Sequence, residues 1–182
     1  MNREEALSLV RNYTENENLV RHMLAVEASL IAYAKRFGED EAMWSLCGIL
    51  HDFDYEKMGD EHPSAWGQAI LREDHVDEEI CEAIAAHGKR ESSHLRKTKL
   101  AKALFAVDTL TGFIVACALV RPDRLKGLDI DSIKKRMKKK DFARAICRED
   151  IKRGAEELGV SCDEHLQTVL DAMKGIHEEI GL

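Results

Sequence analysis

Residues 44–52 read WSLCGILHD, an apolar helical run that ends in a histidine and an aspartate side by side. Apolar runs are buried in folded proteins, so His51 and Asp52 are expected to be buried with this one. A buried ionisable side chain is costly unless it is paired, hydrogen-bonded or bound to a cation. The fold must therefore bring partners for this pair from elsewhere in the chain.

The composition is typical of a soluble globular protein. The chain has 182 residues, of which 45% are hydrophobic and 34% are charged, and this predicts a single domain with a substantial core. The net charge of −7 argues against a dedicated nucleic-acid-binding protein, which is normally basic. Five widely spaced cysteines without a C-x-x-C motif indicate reduced, mostly buried thiols in a cytoplasmic protein.

Hydrophobic periodicity predicts an all-α fold. Gly38 ends the second helix, and Pro63 suits the first turn of a later helix, with His62 at its mouth. The segment 103–120 is almost continuously apolar, but Asp108 lies near its middle, and this carboxylate would be costly in lipid. We therefore expect a core helix there. The predicted helices cover about residues 3–12, 17–37, 40–52, 63–72, 76–87, 97–120, 130–139, 141–157 and 162–180.

Three further ionisable residues share the apolar helical context of the opening pair. His22 lies at the edge of a buried helix face, His87 follows the run AIAA, and Asp108 is in the most apolar helix. A lone histidine of this kind is usually a core residue with one hydrogen bond, and a lone aspartate usually accepts hydrogen bonds. Converging imidazoles and carboxylates, however, suit Zn, Fe, Mn, Ni or Co. The sequence thus predicts one or two metal ions, with Mg as a further option.

The order of these residues resembles the HD-domain superfamily of metal-dependent phosphohydrolases. Many members carry a His-Asp-Ile-Gly signature, and the likeness here is closest to a small stand-alone branch with that signature. The stretches that carry the resemblance are His22, HDFDYE at 51–56, EHP at 61–63, AHG at 86–88 and DTLTG at 108–112.

The resemblance implies a single HD-domain helical bundle over residues 1–182. Its core covers about residues 19–115, and C-terminal helices over about residues 122–182 pack on that core. In the family, one metal ion is held by a histidine, the His-Asp pair and a last aspartate, and two-metal members add two histidines and a bridging aspartate. The implied ligands are His22, His51, Asp52, His62, His87 and Asp108.

The implied reaction is hydrolysis of a small phosphate ester, either a nucleotide or another phosphomonoester or diester, by metal-activated water. Asp52 would bridge the ions, and Asp54 and Glu56 are candidates to orient the water or to act as acid or base. The alternative for the last two is an exposed acidic loop. Asp54 also replaces the signature glycine, so we expect a different loop and substrate pocket with unchanged metal ligands.

Four basic residues are candidates to neutralise the charge of the substrate phosphate, although each also fits a solvated surface position. These four are Lys57, Arg72, Lys89 and Arg90. The lysine-rich run at 134–140 is expected to be a solvated helix face. The histidines of polar segments are predicted at the surface, and they are His75, His94, His165 and His177.

Two other functions would use the same residues. His62 and His87 would also serve a di-iron oxygenase, and the whole set would serve a metal-stabilised binding module without turnover. We expect a cytoplasmic monomer or homodimer whose partner is a small phosphorylated substrate, and neither a nucleic acid nor a membrane.

Overall fold

The computed structural model describes residues 1–88 and 95–182, and within these ranges it contains α-helices, a 3-10 turn at Gly59–Glu61 and no β-strand. This confirms the all-α prediction. The helices are α1 (Arg3–Tyr13), α2 (Glu17–Phe37), α3 (Glu41–Leu50), α4 (Tyr55–Met58), α5 (Ala65–Glu73), α6 (Glu78–His87), α7 (Lys99–Leu119), α8 (Ile130–Met137), α9 (Arg148–Leu158) and α10 (Cys162–Gly175), with the 3-10 turn at Gly59–Glu61.

Helix α7 lies at the centre of the bundle and packs against α2, α6, α9 and α10. By length and composition it could cross a membrane, but 67% of its most apolar window is buried among the other helices. Burial on nearly every side is what a helix of this composition requires in a globular protein. Asp108, in the middle of α7, is thereby carried into the interior of the fold.

Helix α3 crosses α2 at a glycine. A Cβ atom on Gly48 would lie 2.5 Å from the Cα atom of Glu27, so no other residue allows the two backbones to approach this closely. His51 follows one turn later, and its ring centroid lies 5.2 Å from that of His22 on α2. The glycine contact thus sets the distance between two of the predicted ligands.

Glu27 is a buried carboxylate that joins the first three helices. Its oxygens accept hydrogen bonds from Arg3 Nε at 2.6 Å and from Arg3 Nη2 at 2.8 Å. The hydroxyl of Ser45 on α3 donates to it at 2.6 Å. Because charged donors compensate its burial, Glu27 stabilises the α2–α3 contact instead of weakening it.

Two predicted helix starts are wrong. Pro63 lies outside α5, because Ser64 is the N-cap and its side chain accepts the N–H of Gly67. The helix predicted from 141 begins only at Arg148, because the Arg148 guanidinium donates to the carbonyls of Ala143 and Ile146 and holds the preceding segment in turns. Residues 53–61, which lie between two predicted helices and are therefore expected to form a loop, contain α4 and the 3-10 turn.

His165 is buried, so the prediction of a surface position is wrong. Its Nδ1 accepts the hydroxyl of Tyr33 at 2.7 Å, and its Nε2 donates to the carbonyl of Ala106 at 3.1 Å. The apolar face of α10 includes His165, Val169 and Met173 at helical spacing, which is the signal that the polar neighbours obscured. His75 and His177 are exposed as predicted, and His94 lies outside the described residues.

Burial lowers the pKa of His165 from 6.5 to about 4. As the pH falls, the imidazole of His165 is therefore protonated near pH 6.5 in the unfolded chain but only near pH 4 in the folded protein. The contribution of neutral His165 to the free energy of unfolding should be fully present above pH 6.5. It should fall by about 3 kcal/mol as the pH is lowered to 4, because protonation then favours the unfolded chain. In urea titrations, His165→Gln should show a shallower pH dependence over this range, and a slope equal to that of the wild type would contradict this origin.

Candidate metal centre

The structure brings together all six side chains named as metal ligands. They come from α2, the end of α3, the segment between the 3-10 turn and α5, the end of α6 and the middle of α7. Neighbouring ring centroids are 5.2, 5.3 and 5.1 Å apart along the row His22, His51, His87 and His62. Five separate segments therefore contribute to one cluster.

Asp52 lies between two groups of imidazoles. Its Oδ2 is 3.4 Å from Nε2 of His51 and 3.7 Å from Nε2 of His22. Its Oδ1 is 2.9 Å from Nε2 of His62 and 3.5 Å from Nε2 of His87. Each oxygen of one carboxylate thus faces a different pair of histidines.

Asp108 completes the first of these groups. Its Oδ1 lies 3.0 Å from Nε2 of His22 and 3.9 Å from Nε2 of His51. We call His22, His51, Asp108 and Oδ2 of Asp52 the first half-site. The second half-site consists of His62, His87 and Oδ1 of Asp52, and its two Nε2 atoms are 3.3 Å apart.

The spacing of these donor atoms fits a coordination shell. Donors bonded to one ion at about 2.1 Å lie about 3.0 Å apart in octahedral geometry and about 3.4 Å apart in tetrahedral geometry. The separations quoted above run from 2.9 to 3.9 Å. Each half-site is therefore close to the size needed to surround one transition-metal ion.

Hydrogen bonds to carbonyls near the ends of helices fix two of the imidazoles. Nδ1 of His51 donates to the carbonyl of Gly48 at 2.9 Å, and Nδ1 of His87 donates to the carbonyl of Ile84 at 2.6 Å. In the neutral tautomer this leaves the lone pair on Nε2, the atom that faces the cluster. This is the outer-shell arrangement usual for metal-binding histidines.

Nε2 of His51 shows most directly that the cluster fits a cation. The side chain is fully buried, and no hydrogen bond within the described parts of the chain satisfies this nitrogen. A buried polar atom left in this state costs about 1–3 kcal/mol. A metal ion bound by Nε2 would remove that cost, and the neighbouring carboxylates would supply its counter-charge.

The ionisation of the cluster is strongly coupled. Burial raises the pKa of Asp52, but the charge of His51 and contacts with His62 and His87 hold it well below its usual range. Burial lowers the pKa of His62, but hydrogen bonds with Asp52 and Asp54 raise it to about 9. A bound metal ion would replace the proton on His62, so metal binding should release protons.

Asp54 is buried, at 2% exposure, so the exposed-loop alternative is wrong for this residue. Its Oδ1 accepts Nδ1–H of His62, and its Oδ2 accepts the backbone N–H of Ser64 at 3.1 Å and the Ser64 hydroxyl. A Cβ atom on Gly67 would overlap the same carboxylate. Oδ1 therefore positions His62 while Ser64 holds Oδ2 in place, a role that the sequence pattern did not reveal.

The other acid–base and phosphate candidates lie in different surroundings. Glu56 accepts the backbone N–H groups of Glu15 and Asn16 at 3.0 and 2.9 Å, where α2 begins. Arg72 forms an exposed ion pair with Glu78 at 2.6 Å. Lys57 is exposed on α4, and the two remaining candidates, Lys89 and Arg90, lie outside the described residues.

Two cavities open onto the cluster, and they share Asp108. One has a volume of about 410 Å³ and is lined by residues of both half-sites together with Tyr55 and Asp60. The Tyr55 side chain is half-exposed, and its ring lies edge-on to His62 with centroids 5.5 Å apart. Sequence reasoning missed Tyr55, although it lies within the HDFDYE motif.

The second cavity has a volume of about 280 Å³ and includes His22, Thr109 and Gly112. His22 and Gly112 also line a more apolar cavity of about 480 Å³, to which Arg21 contributes a positive charge. A cleft therefore follows α7 away from the cluster. Arg21 was not among the predicted phosphate-binding residues, although its position directly before His22 could have indicated that it lies near the cluster.

We expect Asp54→Asn to lower the affinity for divalent metal ions about 10- to 100-fold, because the neutral amide no longer polarises and orients His62. Metal content after gel filtration and competition with a chelating dye would measure the change. Glu56→Gln is the matched control, since its carboxylate contacts backbone groups at α2, and it should bind metal as the wild type does. Equal losses in both variants would contradict the positioning role.

The family model of the HD domain matches residues 19–112, which is more than half of the chain. All six residues of the two half-sites lie inside this range. No solved structure matches the chain. The chain therefore belongs to the HD domain family, which consists largely of metal-dependent hydrolases.

Proposed function

We propose that the protein is a phosphohydrolase that uses two divalent metal ions to cleave a small phosphate ester. The observation that carries this proposal is the carboxylate of Asp52, whose two oxygens face two separate sets of imidazoles. Two-metal hydrolytic sites hold their ions about 3.5–4 Å apart, a separation that one carboxylate can bridge. Membership of a family made up largely of hydrolases supports the same reaction class.

In this proposal each half-site holds one ion. Imidazole and carboxylate donors together suit Mn, Fe, Co, Ni or Zn, whereas Mg prefers oxygen ligands alone. The ions, when bound, lower the pKa of a water molecule towards neutrality and polarise a phosphoryl oxygen. The protein contributes a rigid set of donors, because the carbonyls of Gly48 and Ile84 and the carboxylate of Asp54 fix three of the four rings.

The substrate phosphate would approach from the side of Asp108. The side chain of Asp108 is 27% exposed, whereas that of His51 is fully buried. The first half-site is therefore open at Asp108, which lines both the 410 Å³ and the 280 Å³ cavity. Tyr55 offers an exposed aromatic face for the organic part of the ester. Arg21, in the cleft beyond His22, offers a positive charge to a second anionic group.

Asp54 and Glu56 are assigned supporting roles in this proposal. Both oxygens of Asp54 already accept hydrogen bonds, and Glu56 binds the backbone where α2 begins. Asp54 is thus a positioning residue for His62. Asp52 is the residue that would contact both ions, one through each carboxylate oxygen.

Phosphate release from a panel of phosphate esters, with Mn, Co, Ni or Fe added, tests the proposal. We expect His51→Ala and His87→Ala each to lose about one equivalent of metal and to lower kcat at least about 100-fold, since each removes a ligand from a different half-site. His177→Ala is the matched control. This histidine is exposed on the turns after α10, so metal content and turnover should be unchanged.

Three results would contradict the hydrolase. In the first case, no ester in the panel would release phosphate although the wild-type protein binds both ions. Alternatively, the protein as purified contains iron and consumes O₂ with formation of an oxidised product, as a di-iron oxygenase would. In the third case, chelation lowers the melting temperature but neither activity is found, as for a metal-stabilised binding module.

A further inference from the structure

A further cavity, with a volume of about 610 Å³, lies between α8, the turns of residues 138–147, α9 and the start of α10. None of the six cluster residues lines it. We call it the basic cavity, because six cationic side chains from three segments surround it. They are Lys134, Lys138, Lys140, Arg144, Arg148 and Lys152.

The cationic side chains that line the basic cavity outnumber the carboxylates that line it, six to two. The two carboxylates that line it are already paired, Glu149 with Lys152 at 3.0 Å and Asp163 with Lys134 at 2.9 Å. The side chains of Lys138 and Lys140 are exposed. In the portion of the chain that the structure covers, neither is paired with a carboxylate. This charge stands out in a protein whose net charge is −7.

The walls of the basic cavity combine this charge with an apolar surface. Met137, Ile146 and Cys162 are partly buried and line the same space. Arg148 is held in place, because its guanidinium donates to the carbonyls of Ala143 and Ile146 at 2.6 Å each. The cavity therefore has one cation held by hydrogen bonds, several exposed ones and an apolar wall.

A solvated helix face does not explain this arrangement. Lysines on a convex face point apart into water, whereas here cations from α8, the turns and α9 converge on a concave space. Converging like charges repel each other and destabilise the fold, and concave, low-dielectric walls strengthen the potential that a ligand experiences. The volume also lies within the range of small-molecule sites, about 300–1,000 Å³.

We propose that the basic cavity binds a small molecule that carries an oligophosphate chain. Lys138 and Lys140 would contact the phosphates as point charges. Arg144 pairs with the exposed Asp141 at 2.8 Å and would exchange that carboxylate for a phosphate, which it would bind in a bidentate manner. Met137 and Ile146 would contact any apolar ring that the molecule carries. A nucleoside polyphosphate and an inorganic polyphosphate share this chemistry, and the test below distinguishes them.

The test measures binding of inorganic triphosphate by titration calorimetry at low salt, in a His51→Ala background. This substitution removes a ligand of the metal centre, so binding measured here does not depend on the proposed hydrolase. Lys138→Glu together with Lys140→Glu should weaken binding at least about tenfold, because two attractive charges become repulsive. The milder pair, Lys138→Gln with Lys140→Gln, should give an intermediate loss.

The matched control is Lys97→Glu with Lys126→Glu, which makes the same change in net charge at two exposed positions that do not line the basic cavity. It should bind triphosphate within about twofold of the background protein, and added salt should weaken binding throughout. Tighter binding of ATP than of triphosphate identifies a nucleotide, and the reverse order identifies an inorganic polyphosphate. The proposal would be overturned if the background protein did not bind triphosphate at millimolar concentration. It would also be overturned if the Lys138→Glu, Lys140→Glu variant and the Lys97→Glu, Lys126→Glu control lost affinity equally.

Discussion

The carboxylate of Asp52 is the group on which the structure of the cluster depends. A buried carboxylate costs several kcal/mol unless charges or hydrogen bonds compensate it. Here four imidazoles from separate segments surround it, and His51, His62 and His87 hold its pKa well below its usual range although burial raises it. The glycine contact between α2 and α3 and the central position of α7 bring these segments together. The fold thus brings these ionisable groups together at a place where a bound cation would balance the carboxylates.

Much of this cluster could be predicted because helix periodicity is local. His22, His87 and Asp108 each lie on a helix whose apolar residues recur at helical spacing, so the burial of His87 and the partial burial of His22 and Asp108 follow from the sequence. The run that ends in His51 and Asp52 is apolar enough to require a buried end. The periodicity does not give the distances between side chains of different helices. The division of the donors between the two oxygens of Asp52 became visible only with the tertiary structure.

Features that depend on contacts between distant segments could not be predicted in this way. The bond between Asp54 and His62 depends on the path of α4 and the 3-10 turn, which the sequence suggested was a plain loop. His165 looked polar because its neighbours are polar, and only packing against Tyr33 shows why it is buried. The basic cavity likewise forms because Arg148 folds the preceding residues into turns, so that separate cations converge.

Anomalous diffraction from crystals of the manganese-loaded protein tests the central claim most directly. Data collected above and below the manganese absorption edge locate each ion independently of the protein atoms. We expect two anomalous peaks, one beside Oδ2 of Asp52 among His22, His51 and Asp108, and one beside Oδ1 between His62 and His87. A single peak held by both oxygens of Asp52, or no peak at the cluster, would contradict the division into two half-sites.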